Sequence, residues 1–176
     1  MVDSASRPTL DFLQRLAATV ACEIIPTRST RNDLPRQIRD DAAHFAARID
    51  GDGETCRVLD EQGRPVSPER LLLLLAMNPE PAKVVVLEAE TSPAVDDRLM
   101  QLGMQIARSS PRRADMYHAM LKHAAALGGG PSGRVWHSEA GLPLCDALMT
   151  VTRLLIALSR GDEPLSKVLD RDAPFE

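Results

Sequence analysis

With 176 residues, of which 44% are hydrophobic and 26% charged, the chain can bury a sizeable core, which argues against wholesale disorder. The net charge of −4 and the aromatic content of 3% argue against a general nucleic-acid-binding protein, because such proteins need basic surface and stacking side chains. The three cysteines form no Cys-x-x-Cys motif and predict neither a disulfide framework nor a zinc site.

The sequence also predicts a cytoplasmic protein. Residues 1–7 lack a basic region followed by an apolar stretch, so no signal peptide is expected. No apolar run approaches the length needed to cross a membrane.

The first third of the chain alternates helical and strand-like patterns. Residues 9–18 predict a short amphipathic helix, and residues 19–25, rich in β-branched side chains, predict a strand that ends at Pro26. Residues 34–49 predict a helix, because four apolar side chains would form one stripe along it. The stripe consists of Ile38, Ala42, Phe45 and Ile49.

The middle of the chain predicts a hairpin, a helix and a strand. Residues 55–60 and 64–66 form the hairpin. Ser67 can cap the helix, which continues through the five leucines at 71–75. Residues 83–90 predict a central strand, because the first half of this segment is apolar on both faces.

The last part of the chain predicts mostly helices. Ser92 can cap one helix, a second helix follows over 110–127, and residues 143–160 form the longest one, before a last short turn to about Leu169. The glycine-rich residues 128–133 predict a flexible connector.

Over residues 19–107 the order strand, helix, strand, strand, helix, strand, helix resembles the HPr-like phosphocarrier domains. The resemblance implies an α+β fold, an HPr-like open-faced β-sandwich (βαββαβα) in which helices cover one face of a four-stranded antiparallel sheet. We therefore expect three regions: an N-terminal helical extension over 1–18, the HPr-like domain over 19–107, and a C-terminal helical hairpin within 108–176 that packs on it.

The resemblance does not extend to the phosphocarrier's active site. That family carries a phosphoryl-accepting histidine in the loop after the first strand. Residues 31–36 here read Arg-Asn-Asp-Leu-Pro-Arg, and no histidine precedes His44. We therefore expect a non-catalytic regulatory or scaffolding protein that acts through protein–protein contacts, with no cofactor and no metal.

Two features predict a contact surface. Arginines beside the predicted first helix are candidates for binding an anion or a partner, since a helix N-terminus attracts negative charge; the alternative is a solvated loop. These arginines are Arg28, Arg31, Arg36 and Arg39. The leucine run exceeds one helical turn, so it indicates either an enlarged core of this chain or a partner or dimer surface that includes Leu72 and Leu75.

The alternative function is an enzyme or phosphoryl-transfer component that uses His118, His123 or His137. His118 and His123 lie about 140° apart on a helix, so they cannot share a metal on one side. Asp115 could support His118, and a His–Asp pair could reach Cys145 as a nucleophile. Ordinary structural roles for these side chains remain the favoured interpretation.

Overall fold

The computed structural model describes residues 1–4, 7–17, 22–27, 33–77, 82–159, 161 and 163–172. These residues form nine strands and seven helices. The strands are β1 (Val2–Ser4), β2 (Pro26–Thr27), β3 (Phe45–Ile49), β4 (Cys56–Asp60), β5 (Val84–Glu88), β6 (Gln105–Ser109), β7 (Leu127–Gly129), β8 (Val135–Glu139) and β9 (Leu142–Cys145). The helices are α1 (Arg7–Ala17), α2 (Leu34–Asp40), α3 (Pro68–Met77), α4 (Pro93–Gln101), α5 (Arg113–His123), α6 (Ala147–Leu158) and α7 (Leu165–Asp172).

The strands form two mixed sheets. The first has the order β2-β1-β3-β4, with β1 parallel to β2 and β3, and β3 antiparallel to β4. The second has the order β6-β5-β7-β8-β9; β5 is parallel to β6 and β7, and the last three strands are antiparallel. In the described part of the chain, no helix has both the length and the apolar character needed to cross a bilayer.

Helix α3 lies in a core shared by both sheets. All six residues from Leu71 to Ala76 are buried, and α3 contacts α4, α6, α7 and β7. The same apolar cluster includes Phe45 and Val58 of the first sheet and Val85 and Leu87 of the second. The leucine run is therefore part of an enlarged core of this chain.

The expected HPr-like sandwich is wrong, because the described residues form two mixed sheets of four and five strands. The predicted helix over 34–49 ends at Asp40, Ala42 takes a φ of +49°, and the strand β3 follows. The stripe was misleading because Phe45 and Ile49, four positions apart, share a face in a strand as well as in a helix.

The prediction of a purely helical C-terminal region is also wrong, since residues 108–176 include β7, β8 and β9. The second sheet contains strands from both sides of residue 107. The glycine run is no flexible connector, because Gly128 is in a buried strand, where a Cβ would lie 3.1 Å from the carbonyl oxygen of Val86. These glycines allow close packing of the backbone.

Several local predictions are confirmed, whereas the strand predicted over 19–25 is not. Helices α1, α3 and α4 occur where the sequence predicts helices, and the Ser92 hydroxyl accepts the backbone N–H of Ala94 at 3.3 Å as the cap of α4. The predicted strand over 19–25 lies partly outside the described residues. Its described part, residues 22–25, is not a strand, and the short β2 follows it.

Candidate functional site

The carboxyl ends of three parallel strands meet at one edge of the second sheet. The turns after β5, β6 and β7 cover residues 88–92, 109–113 and 129–134. The chain passes from β5 to β6 on one side and later places β7 on the other side. Such a reversal is a topological switch point, where open α/β sheets bind ligands in a crevice.

A buried carboxylate organises this crevice. Glu88, at the end of β5, is 2% exposed. Its Oε2 accepts the backbone N–H of Ser132 at 2.9 Å, and its Oε1 accepts the hydroxyl of the same serine. The Ser132 oxygen in turn accepts the backbone N–H of Arg134 at 3.2 Å. The turn after β7 is therefore attached to the end of β5.

Gly130 lies against this carboxylate, and no residue with a side chain would fit at its position. A Cβ on Gly130 would lie 2.6 Å from Thr91 Oγ1 and 2.7 Å from Glu88 Cβ, which is closer than real Cβ contacts. Thr91 is 3% exposed, and its hydroxyl has no hydrogen-bond partner among the described residues. A buried hydroxyl without a partner is costly, so this group is suited to meet a polar ligand.

The turn after β7 also forms one wall of a cavity of about 450 Å³. Pro131, Ser132 and Gly133 line it on one side, while β4 and the start of α3 line the other sides. A volume of this size lies within the range of small-molecule sites.

The first sheet contributes an acidic loop to the crevice. After β3 the chain reads Asp50-Gly51-Asp52-Gly53-Glu54. Thr55 then forms an isolated antiparallel bridge with Arg134, and the backbone N–H of Ala147 donates to the carbonyl oxygen of Gly53 at 2.9 Å. These bonds hold the acidic loop against the second sheet.

Two arginines pair with two of the three acids of this loop. Arg113, the first residue of α5, lies 2.7 Å from Glu54 Oε2 and 3.6 Å from Asp52 Oδ2. Arg134 Nε lies 3.4 Å from the same glutamate oxygen. This nitrogen is buried and donates no hydrogen bond within the described residues. The positive end of the α5 dipole adds to their charge.

Arg108 supports the turn after β5. Its guanidinium donates to the carbonyl oxygens of Glu88, Ala89 and Thr91, and it pairs with Asp96 at 2.6 Å. These contacts fix the backbone on which Glu88 and Thr91 are placed. Arg108 is therefore a positioning residue for the crevice.

Three acids of the crevice are engaged by donors of the protein itself. Glu54 is bonded to arginine, and Asp52 Oδ1 accepts the backbone N–H of Glu54 at 3.1 Å. Both oxygens of Glu88 accept from Ser132. Among the described residues, no group of three or more Asp, Glu, His or Cys side chains is placed to hold a metal ion.

The sequence-predicted arginines lie elsewhere. Arg28 and Arg31 fall outside the described residues. Arg36 is exposed and pairs with Asp40 at 3.2 Å, and Arg39 donates to the carbonyl oxygen of Gln62 at 3.0 Å. Both are on α2, and anion binding there remains a prediction.

Leu72 and Leu75 lie inside the protein. They are 0% and 2% exposed and belong to the core shared by the two sheets. On this chain they are not part of the surface. Their burial supports the intramolecular alternative for the leucine run.

The three histidines of the alternative prediction are not brought together. His118 and His123 are exposed on α5, whereas His137 is buried on β8. His137 Nε2 lies 2.9 Å from Thr150 Oγ1. Because that hydroxyl donates to the carbonyl oxygen of Asp146, it accepts from the histidine, so Nδ1 of the neutral ring carries no proton. Nδ1 has no hydrogen-bond partner among the residues that the structure describes.

The electrostatics of His137 and Cys145 argue against nucleophilic chemistry. Burial, and then the charge of Arg153, lowers the pKa of His137 to about 3. Burial, and then the charge of Glu54, raises the pKa of Cys145 to about 12. The thiol therefore stays protonated near neutral pH, while the thiolate is the reactive form.

Sequence reasoning missed the residues that form the crevice. They are Glu54, Glu88, Thr91, Arg113, Gly130, Ser132 and Arg134. The glycine run was the sequence feature that could have revealed the crevice. If Leu127–Gly129 is recognised as a strand, the glycines that follow it indicate a turn at the carboxyl edge of the sheet.

No protein-family model matches the chain. It is similar to the phosphoglucomutase of Neisseria gonorrhoeae, with 28% identity over 141 residues, or 78% of this chain and 30% of the relative. A phosphoglucosamine mutase of Xanthomonas oryzae pv. oryzae is 26% identical over 142 residues, or 78% of this chain and 31% of the relative. The chain thus spans about 30% of the length of these curated relatives.

Solved structures share the fold. A phosphoglucomutase/phosphomannomutase family protein of Burkholderia thailandensis matches 95% of this chain and 41% of its own, with a TM-score of 0.79 and 19% identity. An Aspergillus fumigatus N-acetylphosphoglucosamine mutase, solved with GlcNAc-6P and magnesium, matches 96% of this chain and 44% of its own, with a TM-score of 0.67 and 12% identity. These similarities overturn the resemblance to a phosphocarrier and point to the phosphohexomutase (phosphoglucomutase/phosphoglucosamine mutase) family.

Proposed function

We propose that the chain is the sugar-phosphate-binding part of a phosphohexomutase-type enzyme, and that its crevice holds a phosphorylated hexose. The observation that carries this proposal is the crevice itself, where arginine side chains and a buried carboxylate–hydroxyl pair converge beyond parallel strands. The similarity to phosphoglucomutases replaces the expected non-catalytic scaffold.

The phosphate group is expected at the start of α5. Arg113 stands at this helix terminus, where backbone N–H groups and the helix dipole favour an anion. Arg134 adds a buried Nε–H that donates no hydrogen bond within the described residues, although it lies 3.4 Å from Glu54 Oε2. Guanidinium groups bind phosphate with charge-assisted and often bidentate hydrogen bonds, so both arginines are suited to this task.

The sugar hydroxyls are expected at the end of β5. The hydroxyl of Thr91 can donate to or accept from a hydroxyl group, and its present lack of a partner leaves it available. Glu88 and Ser132 hold the adjacent turn in place. Polar groups that are fixed before binding favour ligand affinity, because less order must be created.

The relatives define the class of ligand that we propose. They are named as mutases of phosphoglucose and phosphoglucosamine, which carry one phosphate on a six-carbon sugar. The chain spans about 30% of these relatives. We therefore propose that this crevice binds the sugar phosphate, and that the transfer of phosphate between sugar positions also requires the other parts of such an enzyme.

Calorimetric titration of the chain with glucose 6-phosphate and glucosamine 6-phosphate tests the proposal. We expect both to bind more tightly than glucose or inorganic phosphate, because each supplies both halves of the ligand. In Arg113→Gln the affinity should fall by about tenfold or more, since a hydrogen bond to a charged group contributes roughly 1.5–3 kcal/mol.

Arg36→Gln is the matched control, because Arg36 is also an exposed helical arginine in an ion pair. Its hexose-phosphate affinity should equal that of the unmodified chain. A loss in Arg36→Gln without a loss in Arg113→Gln would move the anion site to α2, where the sequence predicted one. Failure of every hexose phosphate to bind would overturn the proposal.

We further propose a cytoplasmic location and contact with another protein or a second copy. The contact is proposed through helices, because Phe12 of α1 and Ile156 of α6 are exposed and line one groove. Light scattering at several protein concentrations tests the second copy, and a monomer throughout would remove it.

A further inference from the structure

Magnesium accompanies the sugar phosphate in the solved Aspergillus fumigatus mutase, so the crevice of this chain must be tested against that ion. Magnesium requires several oxygen ligands in a nearly octahedral arrangement at short distances. The candidate oxygens here belong to the loop Asp50–Glu54 and to Glu88.

The carboxylates near the arginines are already engaged. Glu54 Oε2 lies 2.7 Å from Arg113 and 3.4 Å from Arg134. Asp52 uses one oxygen for the backbone N–H of Glu54, and its other oxygen lies 3.6 Å from Arg113. Glu88 uses both oxygens for Ser132. Asp50 is the remaining acid of the loop, and among the described residues no group of three or more Asp, Glu, His or Cys side chains is placed to hold a metal ion. Because Asp52 and Glu54 are paired with the arginines, the donor set does not fit a magnesium ion.

The charge balance of the loop leads to the same conclusion. Arg113 and Arg134 place two positive charges beside the two carboxylates of Asp52 and Glu54, so this part of the loop is neutral rather than strongly negative. A divalent cation would meet both guanidinium groups at close range. Like charges at such distances repel strongly in a partly buried site.

The same arginines can act directly on a phosphorylated ligand. Arg113 lies at the positive end of α5, and the buried Nε–H of Arg134 makes no hydrogen bond in the described part of the chain. A phosphate would give both groups the negative partner that Glu54 now provides in part. The buried hydroxyl of Thr91, which has no hydrogen-bond partner among the described residues, is a second group suited to a polar ligand.

We propose that Arg113 and Arg134 supply the positive charge that a magnesium ion would otherwise supply, so that this crevice binds a phosphorylated sugar without a divalent metal. The statement about the sugar rests on the proposed function. The lack of a metal site follows from the pairing of Asp52 and Glu54 with the two arginines and does not depend on the sugar.

The first experiment therefore uses a metal and no sugar. The full chain is titrated with Mn²⁺, which replaces Mg²⁺ and has a spin-resonance signal that disappears on binding. We expect the free Mn²⁺ signal to remain unchanged by the chain. A loss of signal that Asp52→Asn abolishes would show a metal at this loop and overturn the inference.

The second experiment measures glucose 6-phosphate binding with added Mg²⁺ and with EDTA. Equal affinity in both media supports the inference, whereas binding that requires Mg²⁺ overturns it. Arg113→Gln should weaken binding by about tenfold in both media, and Arg113→Lys should recover part of the loss because it keeps the charge. If neither Mn²⁺ nor any hexose phosphate binds, the proposed function fails while the absence of a metal site stands.

Discussion

Glu88 and Ser132 lie 44 positions apart in the sequence, yet one carboxylate accepts both the backbone N–H and the hydroxyl of the serine. This contact joins the end of β5 to the turn after β7. The two strands are neighbours in the second sheet, so the contact extends their pairing beyond the last backbone hydrogen bonds of the sheet. The crevice is thus built on a fixed edge rather than on independent loops.

Glu88→Gln should lower both stability and ligand affinity. The amide oxygen can still accept the backbone N–H of Ser132 and the NH₂ group can donate to the Ser132 hydroxyl, but two hydrogen bonds to a charged carboxylate are replaced by weaker neutral ones. We expect a loss of about 1–3 kcal/mol in the free energy of unfolding, measured with urea. Glu90→Gln, on an exposed residue of the same turn, is the control and should change little.

Gly130→Ala tests the steric limit in the crevice. The added methyl group would meet Thr91 and Glu88 well inside normal contact distance, so we expect a cost of about 1–3 kcal/mol in urea unfolding. Gly51→Ala is the matched control, because a Cβ at Gly51 meets nothing within 4 Å. Equal stability of the two variants would contradict the packing described for Gly130.

His137 should make stability depend on pH in the acidic range. Burial lowers its pKa from the ordinary 6.5 to about 3, so between these values the unfolded chain binds a proton that the folded chain does not. Stability contributed by the neutral ring is complete above about pH 6.5 and is lost as the pH falls towards 3. In His137→Leu, the slope of unfolding free energy against pH should decrease by up to about 1.4 kcal/mol per pH unit in this window.

His44→Gln is the control for that measurement, because His44 is exposed on the short turn before β3. Its pH profile should follow that of the unmodified chain. If the slopes of His137→Leu and the unmodified chain coincide between pH 4 and 6, roughly the centre of the window, then His137 is not kept neutral by burial.

Leu72→Ala should be strongly destabilising. The side chain is fully buried in the core shared by the two sheets, and its truncation leaves a cavity that costs about 2–5 kcal/mol. Leu142→Ala is the matched control, since Leu142 is 57% exposed on the edge strand β9. Thermal unfolding of both variants gives the comparison, and a small effect at Leu72 would argue for its exposure.

The parts of the fold that local chemistry determines were predictable. Ser67-Pro68 and Ser92-Pro93 begin α3 and α4, because a hydroxyl cap followed by proline suits the first turn of a helix. The sheets were not predictable in this way. Strand pairing depends on partners far apart in sequence, and short strands such as β7 contain too few residues to show a period.

The crevice could not be found as a motif because its residues follow four different strands. Glu54, Glu88, Arg113 and Ser132 become neighbours only when both sheets are assembled. Single arginines and acids at loop ends are common in any sequence, so none of them was distinctive alone. The arginine loop near Arg36 was more visible because its members are close together in the chain.

Because α3 is buried among residues of both sheets, the largest apolar cluster belongs to neither sheet alone, and each sheet packs only a smaller cluster on its other face. A chain divided between Met77 and Val84 would leave the leucines of α3 uncovered in one fragment and the second sheet without its packing partner in the other. Each fragment alone would then bury too little apolar surface to fold. The two fragments should recover structure by complementation when mixed, so the sheets behave as halves of one folding unit.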